Sequence, residues 1–423
     1  MSLQTHAIDQ EIARLQAQLQ QNGHDNATVI ALSTAIRQRF LANGDFEDFK
    51  DALRLLDIAQ RPTLEEIGTA TISFHPLLRR AEQHWVQWQP WLVSQGYMLS
   101  DRYHPGWAPS WDSSVDILAK YFAPDNFGTY EWKVVDAIRI RDGARVFLKV
   151  CSRDRDQELH IAAYFSSEPR RSDPRNHCSP LLDVLCPPIL EGYEVFILVH
   201  PLLRPVFSPE PETIGELLTC ISQFAEGLVF LHENNTAHLD IHYRNVMMDA
   251  SHLIPGGWHP WDRNRVYPGG CEPCGITVLS RSAVPVRYYY IDFNISRIFS
   301  SFEERKLVTG VDRLNPVPEQ STTIAYDPFA ADMRMFGDML RHWQKGFRGL
   351  RFLTPLVTQL TSDDPASRPS ASEMHTALLS LLATKSKVAL TAPLRKRSSK
   401  SWYFRLRMAY FFRVISSGIR RSY

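Results

Sequence analysis

From about residue 112 the chain takes on the texture of strands, and this most restricts the folds open to it. "EWKVVDAIRI" and "ARVFLKVC" are rich in β-branched and aromatic residues. Asp142-Gly143 between them is a good hairpin turn, because Gly there accepts the backbone conformation a tight reversal needs. "QELHIAAYF" then reads as a helix and "YEVFILVHPLL" as a buried strand running into a Pro-containing connector. From Thr213 onward helices dominate, beginning with the long amphipathic "TIGELLTCISQFAEGLVFLHEN", introduced by "SPEPET". A small strand-rich part followed by a larger helical part predicts an α+β fold.

The first hundred residues read differently. Ile8, Ile12, Leu15 and Leu19 recur at helical spacing, and Asn22-Gly23 is a stop signal. Further helical patterns cover roughly 27–42, 45–59 and 77–95, the last carrying "EQHWVQWQPWL". We expect residues 1–110 to be a helical accessory region whose apolar stripes are packing faces.

The chain has 423 residues, enough for one large domain or two ordinary ones. Its 44% apolar and 22% charged residues are those of a globular protein. No continuous apolar run approaches the roughly 18 residues that would suggest a membrane span. The amino-terminal pattern is polar and amphipathic, unlike a signal peptide. Six irregularly spaced cysteines argue against a disulfide framework. The expectation is an intracellular, cytoplasmic protein. The formal net charge of +1 hides an asymmetry: Lys385–Tyr423 carries eleven Lys and Arg and no acid, so the preceding 384 residues are acidic by about ten charges.

The chemistry concentrates in "HLDIHYRNV". Asp240 and Asn245 stand five residues apart on a loop-like segment, followed by the strand-like "VMM". Downstream, "RYYYIDFN" sets Asp292 at the end of a strongly β-forming run, where an open carboxylate can meet a metal. Upstream, "VFLKV" puts Lys149 on a strand among apolar neighbours, and Glu158 on the next helix is its natural counter-ion. A carboxylate to orient a hydroxyl, oxygen ligands for a metal and a cation for phosphates are the parts phosphoryl transfer needs.

Taken in order, these residues resemble the eukaryotic protein-kinase-like superfamily. Its strand lysine, helix glutamate, H-R-D-x-x-x-x-N, D-F-G, P-E, D-x-x-x-x-G and late arginine are matched by Lys149, Glu158, His238-Leu239-Asp240 with Asn245, Asp292-Phe293-Asn294, Pro318-Glu319, Asp332 with Gly337, and Arg368. The resemblance spans roughly 115–385 and implies a bilobal fold over residues 111–385. It also implies ATP-dependent phosphoryl transfer to a protein Ser or Thr, with ATP and Mg²⁺ as cofactors and a protein substrate as partner. Asp240 would orient the substrate hydroxyl, Asn245 and Asp292 would hold Mg²⁺, and Lys149 paired with Glu158 would bind phosphates. Glu319 with Arg368 would brace the helical part, and Asp332 would tie the catalytic loop.

Four departures qualify the match. No G-x-G-x-x-G precedes Lys149; Gly128 in "PDNFGTY" is the only glycine in the turn expected to cover phosphates. Leu239 replaces an arginine that usually meets an activation-loop phosphate. Asn294 replaces a glycine, a mild change because Asn tolerates left-handed backbone. His242 stands where a phosphate-contacting lysine is usual and would act there as a cation. The alternative reading is therefore a pseudokinase or scaffold module with weak or no catalysis. Spacing adds two oddities: only nine residues separate Lys149 from Glu158, and the long interval after Asn245 holds an insert at about 251–284, expected to be an ordered loop.

Other signals read more plainly. Cys271 and Cys274 form a lone C-x-x-C and are taken as loop thiols rather than half a zinc site. His232, His238 and His242 suggest a metal cluster, but the resemblance makes His238 a backbone brace. Residues 386–423 form a basic, aromatic tail that suits an anionic membrane surface, with no specific nucleic acid expected. Its arginines do not share one helical face, so disorder or partial docking on the acidic body is expected.

Overall fold

The computed structural model describes residues 3–22, 25–59, 63–69, 72, 74–111, 123–129, 131–153, 157–189, 194–261, 276–311 and 316–397. Three helices open the chain: α1 (Leu3–Asn22), α2 (Asn26–Asn43) and α3 (Phe46–Ile58). Asp25 and Asp45 cap the second and third by accepting backbone N–H groups that the first turn leaves unpaired. Gly44, at φ +70°, ends α2 in the left-handed conformation that favours glycine. The Trp-rich α4 (Gln83–Ser94) follows.

A five-stranded antiparallel sheet comes next, in the order β1-β2-β3-β5-β4. Its strands are β1 (Tyr97–Met98), β2 (Val134–Arg139), β3 (Arg145–Ser152), β4 (Asp183–Leu185) and β5 (Val195–Pro201). The β2–β3 turn is the expected one: Gly143 has φ +69° and Asp142 accepts the Ala144 N–H at 3.1 Å. Alternation along β3 sorts its residues. Val146, Leu148 and Val150 enter one core, while Phe147, Lys149 and Cys151 line a cavity on the other side.

That first core corrects the expected boundary at 110. Trp85, Trp88 and Leu92 of α4 pack with Val135, Ala137, Val146, Leu148 and Val150, and β1 pairs with β2. The accessory region and the sheet share one interior. At ~25 cal/mol per Å², and with roughly 150–250 Å² buried per ring, each of these tryptophans contributes about 4–6 kcal/mol before entropy is counted. A smaller core joins Phe40 and Phe49 of the opening helices to Leu159, Ala162 and Ala163 of α5 (Gln157–Ser166) on the sheet's other side.

His84 is buried in the first core beside Trp85 and Trp88, with Nε2 unpaired. Burial lowers its pKa from 6.5 to about 4, although a hydrogen bond with the Trp132 backbone opposes the shift. The unfolded chain therefore binds the proton more readily than the folded one between these values. This contribution to stability is complete above 6.5 and is lost as pH falls toward about 4. Urea unfolding across that window should show a decline of up to roughly 3 kcal/mol from this group, absent in His84→Phe.

The helical remainder is organised on α6 (Ile214–Glu233), whose start is a capping box: Thr213 Oγ1 accepts the Glu216 N–H at 3.1 Å and Glu216 returns the contact. No continuous apolar run was expected to span a membrane, yet α6 is long and apolar enough on average. It is wrapped by α7 (Pro328–Gly346), α8 (Thr354–Leu360) and α9 (Ala371–Ala383) in the largest core. Small strand pairs complete the fold: β6 (Arg204–Pro205) and β9 (Arg287–Tyr290) flank β8 (Val246–Asp249), and β7 (Thr236–Ala237) pairs with β10 (Arg297–Ile298). The α+β expectation is met. Among the described residues, Cys151, Cys178, Cys186 and Cys220 are not joined in disulfides.

The insert begins by folding back on the sheet. Arg145 donates to the Trp258 carbonyl at 2.7 Å, and Trp261 Nε1 donates to Asp136 at 2.7 Å. Cys271 and Cys274 lie outside the described residues, as does 398–423 of the tail. Residues 387–391 form a short helix α10, and the segment after it docks on the body through bridges of Pro393 with Thr213 and Lys396 with Phe347.

Candidate active site

Lys149 and Glu158 meet because β3 and α5 are separated by so short a link. Glu158 sits in the first turn of α5, and its Oε1 lies 2.5 Å from Lys149 Nζ. The same ammonium donates to Asp292 Oδ1 at 2.8 Å, across 143 residues of sequence. Burial opposes a charged lysine, but the two carboxylates override it and raise its pKa above the ordinary value. Burial likewise opposes the Asp292 carboxylate, and the Lys149 ammonium holds it below its usual range.

These three residues line a cavity of about 470 Å³ between the sheet and the helical part. Val134, Phe147, Ala162, Leu203 and Met247 give it apolar walls. Ser179 and His200, which sequence reasoning missed, complete one side. The His200 ring is held by the Pro180 carbonyl at 3.0 Å. Its only sequence signal is a histidine just before the Pro that ends a buried strand.

A second cluster adjoins the first through Ile291. The Asn245 carbonyl accepts the Ile291 N–H at 3.1 Å, and His238 Nε2 donates to the Ile291 carbonyl at 3.1 Å. Burial keeps the His238 pKa below its ordinary value despite three nearby carboxylates. Its Nδ1 accepts the Asp240 N–H at 3.2 Å, so this histidine is the expected brace. Buried Asp332 accepts the N–H groups of His238 and Leu239 at 2.8 and 2.7 Å, and the His232 ring at 3.0 Å. Leu239 is left-handed at φ +65°, a conformation costing roughly 1–3 kcal/mol that these bonds sustain.

Asn245 Nδ2 donates to Asp240 Oδ2 at 2.6 Å and to its carbonyl at 3.1 Å. On the other side, His242 Nδ1 accepts the Arg244 N–H at 3.1 Å. His242 Nε2 lies 3.1 Å from Asp240 Oδ1, close enough for ion pairing. The two are not aligned as a hydrogen bond, so both atoms are buried without a partner. Each orphaned buried polar atom calls for a specific explanation, a catalytic role being one. His242 also lines a second cavity, of about 310 Å³, beside Tyr243, whose ring stacks on His342 at 4.6 Å.

One expectation needs correction. Gly128 does not face the Lys149 cavity, whose wall in this stretch is Glu131 and Lys133. A Cβ at 128 would collide with the buried Glu82–Arg102 ion pair, so its glycine is required by that close approach. Within Asp292-Phe293-Asn294 the left-handed residue is Asp292, at φ +68°. The structural pairs do come together: Arg368 grips Glu319 through two nitrogens, and Gly337 packs closely on Leu360 and Thr361.

The donor set suits a hard cation in one respect. Asn245 Oδ1 and Asp292 Oδ2 accept no hydrogen bond among the described residues, leaving two oxygens free. No group of three or more His, Cys, Asp or Glu that could hold a metal occurs among the described residues. Mg²⁺ carried by a nucleotide commonly takes just one or two protein oxygens, the rest coming from phosphates and water. No protein-family model and no curated protein sequence matches the chain.

Proposed function

We propose that this protein is a bilobal, protein-kinase-like enzyme that transfers the terminal phosphoryl group of ATP to a protein Ser or Thr. The observation that carries the reading is Lys149 Nζ, held 2.5 Å from Glu158 and 2.8 Å from Asp292 on the wall of a 470 Å³ cavity. An ammonium fixed between two carboxylates is charged and oriented, and ligand sites of this kind occupy roughly 300–1,000 Å³. The apolar walls suit a base, and Lys149 suits phosphate oxygens.

Mg²⁺ would be held by Asn245 and Asp292, and when bound it neutralises phosphate charge. Asp240, steadied by Asn245 and fronted by His242, would accept the substrate hydroxyl's proton. Its unpartnered Oδ1 supports that role. His242, close to that oxygen, would stabilise the carboxylate and meet the transferred group.

Incubating the chain with Mg²⁺, ATP and a protein acceptor such as casein should give labelled product. Asp240→Asn should cut turnover by about 10²–10⁴ while leaving ATP binding intact. Equal turnover in that variant would remove Asp240 from the chemistry.

A second reading, a nucleotide-binding or scaffold module without useful catalysis, is favoured by one observation. The glycine expected over the phosphates instead packs on Glu82 and Arg102, and Glu131 brings a negative charge to the cavity wall. ATP binding without turnover in the wild-type chain would select it.

A further inference from the structure

We propose that the face built by Arg348, Arg351, Arg395 and Arg397 around Phe352 seats the protein on an anionic lipid bilayer. The chain after α10 returns to the end of α7 and fastens there. Arg348 N–H donates to the Arg395 carbonyl at 2.8 Å, and Arg397 N–H donates to the Gly346 carbonyl at 2.8 Å. Arg397 Nε adds a bond to the Phe347 carbonyl at 3.0 Å. Two cationic segments, some fifty residues apart in sequence, are thereby clamped side by side.

They enclose a concavity of about 560 Å³ lined by Arg348, Gly349, Arg351, Phe352 and Arg397, with no acidic residue in its wall. Lys385 lies 4.2 Å from the centre of the Phe352 ring and adds a further cation. The four arginines are exposed and have no carboxylate partner among the described residues, whereas Lys396 between them is paired with Glu210 at 2.5 Å. Concentrating positive charge without counter-ions costs self-repulsion, which an anionic surface relieves.

The sequence beyond Arg397 selects the occupant. Residues 398–423 carry six Lys and Arg, seven aromatic residues and no acid, together with Leu406, Met408, Val414, Ile415 and Ile419. Cations with aromatic and aliphatic side chains are the composition of an interfacial anchor. An extended polyanion such as DNA would use the cations and stack on the aromatics, but it offers nothing to the aliphatic side chains. Stable attachment usually takes two signals, and the folded basic face and the adjoining segment supply them. The acidic remainder of the chain is repelled by the same surface, which favours one orientation.

The test uses the full chain, without nucleotide, co-sedimented with phosphatidylcholine vesicles that contain or lack phosphatidylserine. Binding to the phosphatidylserine vesicles alone, weakening with added salt, is expected. Replacing Arg348, Arg351 and Arg397 by Ser together should reduce partitioning about a hundredfold, at about fivefold per cation. If the triple variant folds poorly, Arg348→Ser with Arg351→Ser leaves the Arg397 bond intact and should give about a twenty-five-fold loss. Equal binding to both vesicles, no binding, or wild-type binding by the variants would each overturn the assignment. Tighter binding to a single-stranded oligonucleotide than to phosphatidylserine vesicles would overturn it too, and would assign the face to nucleic acid. The readout is independent of phosphoryl transfer, so the two proposals fail separately.

Discussion

Mg²⁺-ATP at a hundred times its Kd should raise the unfolding free energy of the wild-type chain by about 2.7 kcal/mol, and this gain should vanish in Lys149→Ala. The expectation rests on the cavity's charge arithmetic. Lys149 Nζ is the cation that Glu158 and Asp292 hold on its wall, and its removal leaves two carboxylates facing incoming phosphates. The substitution also lowers the ligand-free baseline, so the quantity to read is the increment on adding nucleotide, by thermal shift, in each protein. Asp292→Ala should lose the increment as well, because it removes one of the two oxygens available to Mg²⁺. An undiminished increment in Lys149→Ala would place nucleotide elsewhere and end the phosphoryl-transfer reading.

Asp332→Ala is expected to have the largest effect on stability. Its carboxylate is fully buried and accepts two backbone N–H groups and the His232 ring. Alanine offers them nothing, and water cannot readily enter. Each buried donor left unpaired costs about 1–3 kcal/mol, and Leu239 loses the bond that sustains its left-handed backbone. The combined loss should be about 3–5 kcal/mol, read from the shift in urea midpoint at unchanged slope. Turnover should fall as well, since the same loop carries Asp240. A loss below about 1 kcal/mol would mean that the loop is held by its other contacts.

Residues differ in how openly the sequence declares them. Lys149, Glu158 and Asp292 are legible because their charges need partners, and a buried amine leaves few choices. Asp332 and the Glu319–Arg368 pair are legible for the same reason, once the ordered set suggests where partners should come from. The helix starts at Asp25, Asp45 and Thr213 announce themselves through local capping chemistry.

Gly128 misleads because a glycine's purpose depends on what occupies the space of its absent side chain. Here that is a carboxylate and a guanidinium from residues 82 and 102, which no local pattern reveals. Ser179 and His200 carry no motif at all. His200 reaches the cavity through the antiparallel pairing of β5 with β3, and Ser179 through its N–H, which donates to the Tyr290 carbonyl at 3.0 Å; both are long-range events.

The shared interior of α4, β1 and the sheet has a practical consequence for anyone wishing to isolate the part that bears the Lys149 cavity. A chain shortened to start near residue 111 would strip one whole face from Val135, Ala137, Val146, Leu148 and Val150. It would also strand Gly128 beside an empty slot once filled by Glu82 and Arg102. The strand bearing Lys149 would then present naked greasy surface to solvent, and such a fragment should clump rather than fold.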